Sequence, residues 1–402
     1  MGKKMVDKRH MGKIGFACSA VLSSFGAMAI GEGEATGFPV GSGYLYPSVG
    51  VEVGYDDNIF LQENDEKSSW VTVISPKAKM EFEGEATTVA LNLGAEVGNF
   101  ANSHRDDYFD GNVSIDVSFY PTERATFAVS AGYKKSHEAR GTAAQAGDAA
   151  FLFDRPNRYQ IVEAGARFAY GLDQVGAPRF ELALITDDRT YDNNRTATIY
   201  RDRDSQEAKA SLFYKVMPAT SLLLEGRATK YDYDVATLDS KQYRLMAGVL
   251  WEATSQTEGF AKFGYGKKNF EDASREDANS ASWELGVNWK PLSYSMFTLA
   301  TSKDFDETDS VGDYVDSREI SLEWKHDWYT YLGSKLQFSY GTDDYGNDLR
   351  EDDVWQAGVK VDYRLRPGLI VGAGFTHTDL DSNEPGLSYK DNVVGVQLGV
   401  NM

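Results

Sequence analysis

A two-residue alternation of apolar and polar side chains runs from about residue 46 to the end of the chain, and it limits the possible folds more than any other feature. Successive side chains of an extended strand point to opposite faces, so such alternation marks strands with one apolar and one polar face. In residues 242–252, Tyr243, Leu245, Ala247, Val249 and Trp251 share one face. Gln242, Arg244, Met246, Gly248 and Glu252 share the other, and Leu250 breaks the pattern. Residues 283–290, 355–364 and 394–401 repeat it. About eighteen segments of roughly 10–14 residues can be marked, from 46–56 to 389–401, with sixteen as the nearest alternative count. An even number brings the last strand back to the side of the first, as a single-chain outer-membrane barrel requires.

The connections sort by parity. Every second one is short and often carries proline, as at 83–85, 121–123, 217–219, 290–292 and 366–368. Those between them are long and acidic, as at 56–68, 136–157, 187–199, 304–312, 342–351 and 379–387. Short periplasmic turns opposite long external loops are the signature of a transmembrane barrel, whereas a soluble sandwich has no reason to sort its loops. Trp and Tyr gather at segment ends. Tyr170, Tyr214, Trp251, Trp289, Trp328 and Tyr331 lie near short turns; Tyr55, Trp70, Tyr108, Tyr133, Tyr159, Tyr191, Tyr231 and Phe270 lie near long loops. Two aromatic girdles at two interfaces are the expected reading. Pro76 falls inside a predicted strand and suggests a bulge; the polar start of 200–215 suggests loop.

Mean hydropathy is -0.44. Beyond the N-terminus no apolar run reaches the length of a membrane helix, but a barrel shows lipid only every second residue and stays polar on average. The start of the chain reads as a signal peptide over 1–29. Lys3, Lys4, Lys8, Arg9 and Lys13 are followed by an apolar stretch at 14–25 and by Ala27-Met28-Ala29, a small-x-small cleavage site. The expected organisation is therefore 1–29 signal peptide, 30–45 a short periplasmic segment, and 46–402 an all-β, transmembrane, antiparallel up-and-down barrel in the bacterial outer membrane. The one cysteine, Cys18, falls in the signal, which leaves the mature chain without disulfide or thiol chemistry.

If the polar face is inward, it brings both signs of charge into the lumen. The pore-lining candidates are Lys77, Lys79, Glu96, Asp116, Glu163, Arg167, Glu181, Lys209, Glu225, Arg227, Arg244, Lys262, Glu284, Glu323, Lys335 and Lys360. These charges roughly balance, so the excess behind the net charge of -20 belongs mainly to the outer loops. A barrel of 16–18 strands leaves an aqueous channel unless something plugs it, and the 136–157 loop is the longest candidate to fold inward. The interleaved charges suit a hydrated, neutral or weakly charged solute; they also read as cross-strand ion pairs that stiffen the wall.

Catalytic and cofactor signatures do not assemble. His104, His137 and His377 lie in or beside different loops, with Ser103, Ser136 and Asp379 near in sequence, as polar loops produce by chance. No His or Cys set has zinc spacing. Asp56, Asp57 and Asn58 with Asp65 and Glu66 lack the EF-hand order and read as a solvated acidic loop. There is no phosphate-binding glycine loop, and the acidic balance argues against nucleic acid. No enzyme activity, metal or cofactor is expected.

The run Gly54-Tyr55-Asp56-Asp57-Asn58-Ile59-Phe60 resembles the opening of the putative β-barrel porin 2 family, and the strand–loop rhythm extends the resemblance to Met402. That family comprises outer-membrane barrels often associated with exopolysaccharide production. The resemblance implies a channel exporting a polysaccharide, with outer-membrane lipid and lipopolysaccharide around it and periplasmic export proteins as partners. A porin taking up a small hydrophilic solute, and a closed barrel serving as a scaffold for its acidic loops, are the alternatives.

Overall fold

The computed structural model describes residues 37–402 apart from 236, 255, 309 and 310. The predicted signal peptide and residues 30–36 lie outside the described residues. The strands are β1 (Phe38–Val40), β2 (Gly43–Asp56), β3 (Ser69–Glu83), β4 (Thr87–Phe100), β5 (Tyr108–Thr122), β6 (Ala125–Glu138), β7 (Asn157–Gly171), β8 (Pro178–Tyr191), β9 (Arg203–Met217) and β10 (Thr220–Tyr233). They continue as β11 (Ser240–Thr254), β12 (Thr257–Phe270), β13 (Ala278–Leu292), β14 (Ser295–Asp306), β15 (Tyr314–Tyr329), β16 (Leu332–Gly346), β17 (Glu351–Arg366), β18 (Leu369–Ser382) and β19 (Tyr389–Asn401).

Each strand from β2 to β19 pairs antiparallel with its chain neighbours, and β19 pairs with β2 from Val393↔Asp56 to Asn401↔Ser48. The result is a closed eighteen-stranded barrel, in which none of the strands β2 to β19 is left as an open edge. The strands mostly run 14–16 residues, longer than the roughly 9–11 that cross the hydrocarbon. Their ends therefore reach beyond the lipid.

The two faces differ as the alternation predicts. Leu245, Phe263 and Val396 on one face are 60%, 59% and 57% exposed. An apolar face left open to the surroundings is stable only against lipid. On the other face, side chains reach across the curve of the wall: Arg244 on β11 pairs with Glu284 on β13 and Asp304 on β14. Such chords exist only on the concave side, so this face is the interior. Leu250 keeps the interior parity of its strand, opposite Ser221 and Phe260.

Several expectations need correction. The segment before residue 46 holds β1, which folds back on the start of β2 through Phe38↔Leu45. Pro76 causes no bulge: Val49↔Pro76 sits in an unbroken β2–β3 register, and the β3–β4 register resumes unshifted at Lys77↔Gly94. The missing N–H is accommodated by a gap in that ladder at Ser75 and Pro76. Bulges instead occupy the strand ends before tight turns, where Pro121 and Pro291 lie between Phe119 and Thr122 and between Trp289 and Leu292. The polar start of 200–215 is strand from Arg203 onward. The aromatic girdle holds at the short-turn end, where Tyr170, Tyr214, Trp289, Trp328 and Tyr331 are exposed, but only in part at the other. Trp70 and Tyr133 are exposed there, while Tyr108, Tyr159, Tyr191, Tyr231 and Phe270 have interior parity.

Candidate functional site

Cross-strand partners share a face, so the register can be followed around the ring from one strand to the next. It returns to β2 on the face where it began, and every predicted lining residue falls on the interior side. Two regions differ in how these charges are held.

From β7 to β14 the charges interlock. Arg167 bonds Glu181 at 2.5 Å, and Arg179 joins the same carboxylate. Lys209 reaches Glu225 at 3.1 Å, and Arg227 lies 3.7 Å from both Glu207 and Glu225. Lys262 bridges Glu225 and Glu284, and Arg244 bridges Glu284 and Asp304. Glu181, Glu225 and Glu284 are each shared between cations, which leaves this wall polar, stiff and close to neutral. On the other side Lys325, Lys335 and Lys360 stand directly opposite one another on β15, β16 and β17, served by Glu323 and Asp362. Lys77 and Lys79 lie on the interior of β3, with Lys79 2.6 Å from Glu81. Glu96 accepts the Tyr108 hydroxyl at 2.7 Å, Asp116 accepts the Asn92 amide at 3.2 Å, and Glu163 stands opposite Gly132. The lumen thus has one interlocked flank and one on which three lysines stand in a row.

The mouth on the long-loop side is narrowed from within. The loop after β6, residues 139–156, turns through two 3₁₀ segments, Ala143–Gln145 and Gly147–Leu152. Ala150 packs on Ile59, Phe60 and the interior-facing Val71 and Val73 of β3. The loop's far end reaches the β18–β19 connection, where Asp148 N–H donates to the Gly386 carbonyl at 3.2 Å. It therefore crosses β5, β4, β3 and β2 on the inside. Buried ion pairs pin its base. Arg140 donates to Asp106 at 2.6 Å and lies over the Phe60 ring, and Arg201 donates twice to Glu138, which also accepts the Tyr191 hydroxyl. The interior-facing aromatics of the mouth stack with cations in the same way: Arg189 over Tyr159, Arg201 over Tyr191 and Lys268 over Tyr231. In the β16–β17 loop, burial opposes the charge on Arg350, but the Asp352 carboxylate and its neighbours hold the guanidinium above its ordinary value.

The motif at 54–60 turns out to join the ends of the barrel. Asp57 accepts the Asn392 backbone N–H at 2.7 Å and its side-chain amide at 2.8 Å. Asn58 is fully buried and donates to the Lys390 carbonyl at 2.8 Å and the Gln62 carbonyl at 2.9 Å. Ile59 and Phe60 then form the floor on which the infolded loop rests. Asp391 comes close to Asp56 and Asp57, with carboxylate oxygens within 4.8 Å, whereas Asp65 and Glu66 are not in that group. Ser136 and His137 both bond Asp110, at 3.1 and 3.0 Å, rather than each other. His104 bonds Asp107 and His377 bonds Asn392.

A family model described as Putative beta-barrel porin 2 matches residues 32–402. No curated protein sequence matches the chain. Among solved structures, OpdO of Pseudomonas aeruginosa is similar with a TM-score of 0.50 at 12% identity, over 89% of this chain and 97% of that one. OccAB4 of Acinetobacter baumannii gives 0.46 at 11% identity, over 89% and 98%. The siderophore receptor PirA of Pseudomonas aeruginosa gives 0.49 at 9% identity, over 89% and 80%. At such identities the likeness is one of fold.

Proposed function

The chain belongs to the putative beta-barrel porin 2 family, a porin-like channel of the bacterial outer membrane, and from that premise we propose that it exports a secreted polysaccharide. The observation that carries the reading is the interlocked wall from β7 to β14. Charges already paired with each other present hydroxyl-rich polymers with many hydrogen-bonding groups and little net field, so a neutral or weakly acidic chain slides without being trapped. The row of Lys325, Lys335 and Lys360 tolerates the occasional acidic sugar. The chain acts here as a conduit, without catalysis, and works with periplasmic export proteins. The test is carbohydrate in the medium and in the periplasm of a strain lacking the gene, beside its parent. Loss from the medium with periplasmic build-up, restored by the wild-type gene, is the expected result. Unchanged secretion overturns export.

The infolded 139–156 loop favours a second reading, uptake of a small hydrophilic solute, because a narrowed mouth selects by size. Slow growth of the deletion strain on one limiting solute, with secretion intact, would replace the first reading by this one.

A further inference from the structure

The outer face of the barrel is dented where small residues meet. Ala208 and Ala210 of β9 and Gly226 and Ala228 of β10 form the floor of a groove of about 540 Å³, walled by Leu182, Leu245 and Tyr265. All these residues have lipid-facing parity. A methyl group added at Gly226 would touch nothing within 4 Å, so the floor lies open. A smooth lipid-facing wall needs no such recess, and lipid tails lose contacts over it.

Lysines crowd the loop-side end of the groove. Lys267 borders it. Lys230 and Lys241 stand directly opposite each other on β10 and β11, and Lys267 is opposite Tyr243, diagonal to Lys241. Like charges directly opposite across a ladder are unfavourable by themselves. Their partners, Asp232 at 2.7 Å, Glu271 at 2.9 Å and Asp277 at 3.4 Å, lie further toward the loops. The three lysine side chains are 41–47% exposed, and ion pairs that open to water hold weakly and exchange readily. The lysine row thus lies between the apolar band and the acidic rim, at the depth of lipid headgroups.

We propose that this recess binds one phosphorylated glycolipid of the outer leaflet. An acyl chain fills the groove over Gly226, and a sugar phosphate bridges Lys230, Lys241 and Lys267. The inference rests on the outer-membrane placement of the barrel and not on what passes through it. Charge complementarity selects the occupant: three neighbouring lysines above an apolar slot, each held only by an exposed ion pair, match an anionic headgroup carrying acyl chains.

The test uses the full barrel, purified and moved into a lipid-free detergent, then mixed with lipid A, with lipid A stripped of its phosphates, or with phosphatidylglycerol. Bound lipid is counted by native mass spectrometry. One lipid A retained per barrel is expected, with retention falling about tenfold for the variant carrying Lys230→Gln, Lys241→Gln and Lys267→Gln. Gly226→Leu puts a side chain into the groove from a position where an added Cβ meets nothing within 4 Å and should lower retention similarly, while the heat-dependent gel shift of the folded barrel stays unchanged. Equal retention of lipid A by wild type and both variants overturns the site. Equal retention of phosphatidylglycerol, or of the stripped lipid, overturns the assignment of its occupant.

Discussion

Asn58 shows how much of this architecture depends on single buried amides. It has no exposed surface and ties the β2–β3 loop to the backbone of Lys390, 332 residues further along. Removing the amide takes the donor from the Lys390 and Gln62 carbonyls and the acceptor from the buried Gln62 N–H. Asn58→Ala should cost about 1–3 kcal/mol, read as a lower urea midpoint for loss of the folded band, whereas exposed Glu66→Ala in the same loop should leave it unchanged. The motif was visible in the sequence, but its role was not, because its partners lie at the other end of the chain and no local spacing marks them. Parity served the charged residues better. Arg167 and Arg227 could be assigned to the interior because neighbouring aliphatics on their strands fix the opposite face. Replacing both by Glu should shift ion selectivity toward cations in a reversal-potential measurement; unchanged selectivity contradicts their lining role. Parity is also what the girdle reading lacked. Position near a loop does not give the face of Tyr108, Tyr191 and Tyr231; their strand neighbours place them inside, Tyr191 and Tyr231 under cations and Tyr108 bonded to Glu96.

At the scale of elements, short and long connections were legible because turn chemistry is local. The path of the 139–156 loop was legible only as a possibility. Its contacts inside the mouth are made by Ala150 and Gly141, residues whose types announce nothing. Gly141 has φ +89° and a backbone carbonyl of Phe60 where a side chain would begin, so the loop can approach that closely only with glycine there. The Arg140–Asp106 pair is its anchor, with side chains 10% and 5% exposed. Asp106→Ala leaves a buried cation alone, a change that costs about 3–5 kcal/mol in comparable sites. We expect faster trypsin cleavage at Arg140 on intact cells and a larger single-channel conductance. Unchanged cleavage and conductance would mean the loop is held by other contacts.

For the whole molecule, a closed ring of eighteen strands follows from period-two alternation, even strand number and the parity of the connections. Those patterns record which face meets lipid, and lipid acts on every strand alike. The solute leaves no such periodic record, since a hydrated polymer or a small sugar asks only for a polar wall. The central claim is that an aqueous path crosses the barrel beside the infolded loop. Purified wild-type protein in a planar bilayer measures that path directly. Discrete current steps that grow with salt concentration are expected, larger still with Asp106→Ala. A correctly folded barrel that passes no current, with and without that substitution, would contradict the channel and leave the barrel a scaffold for its loops.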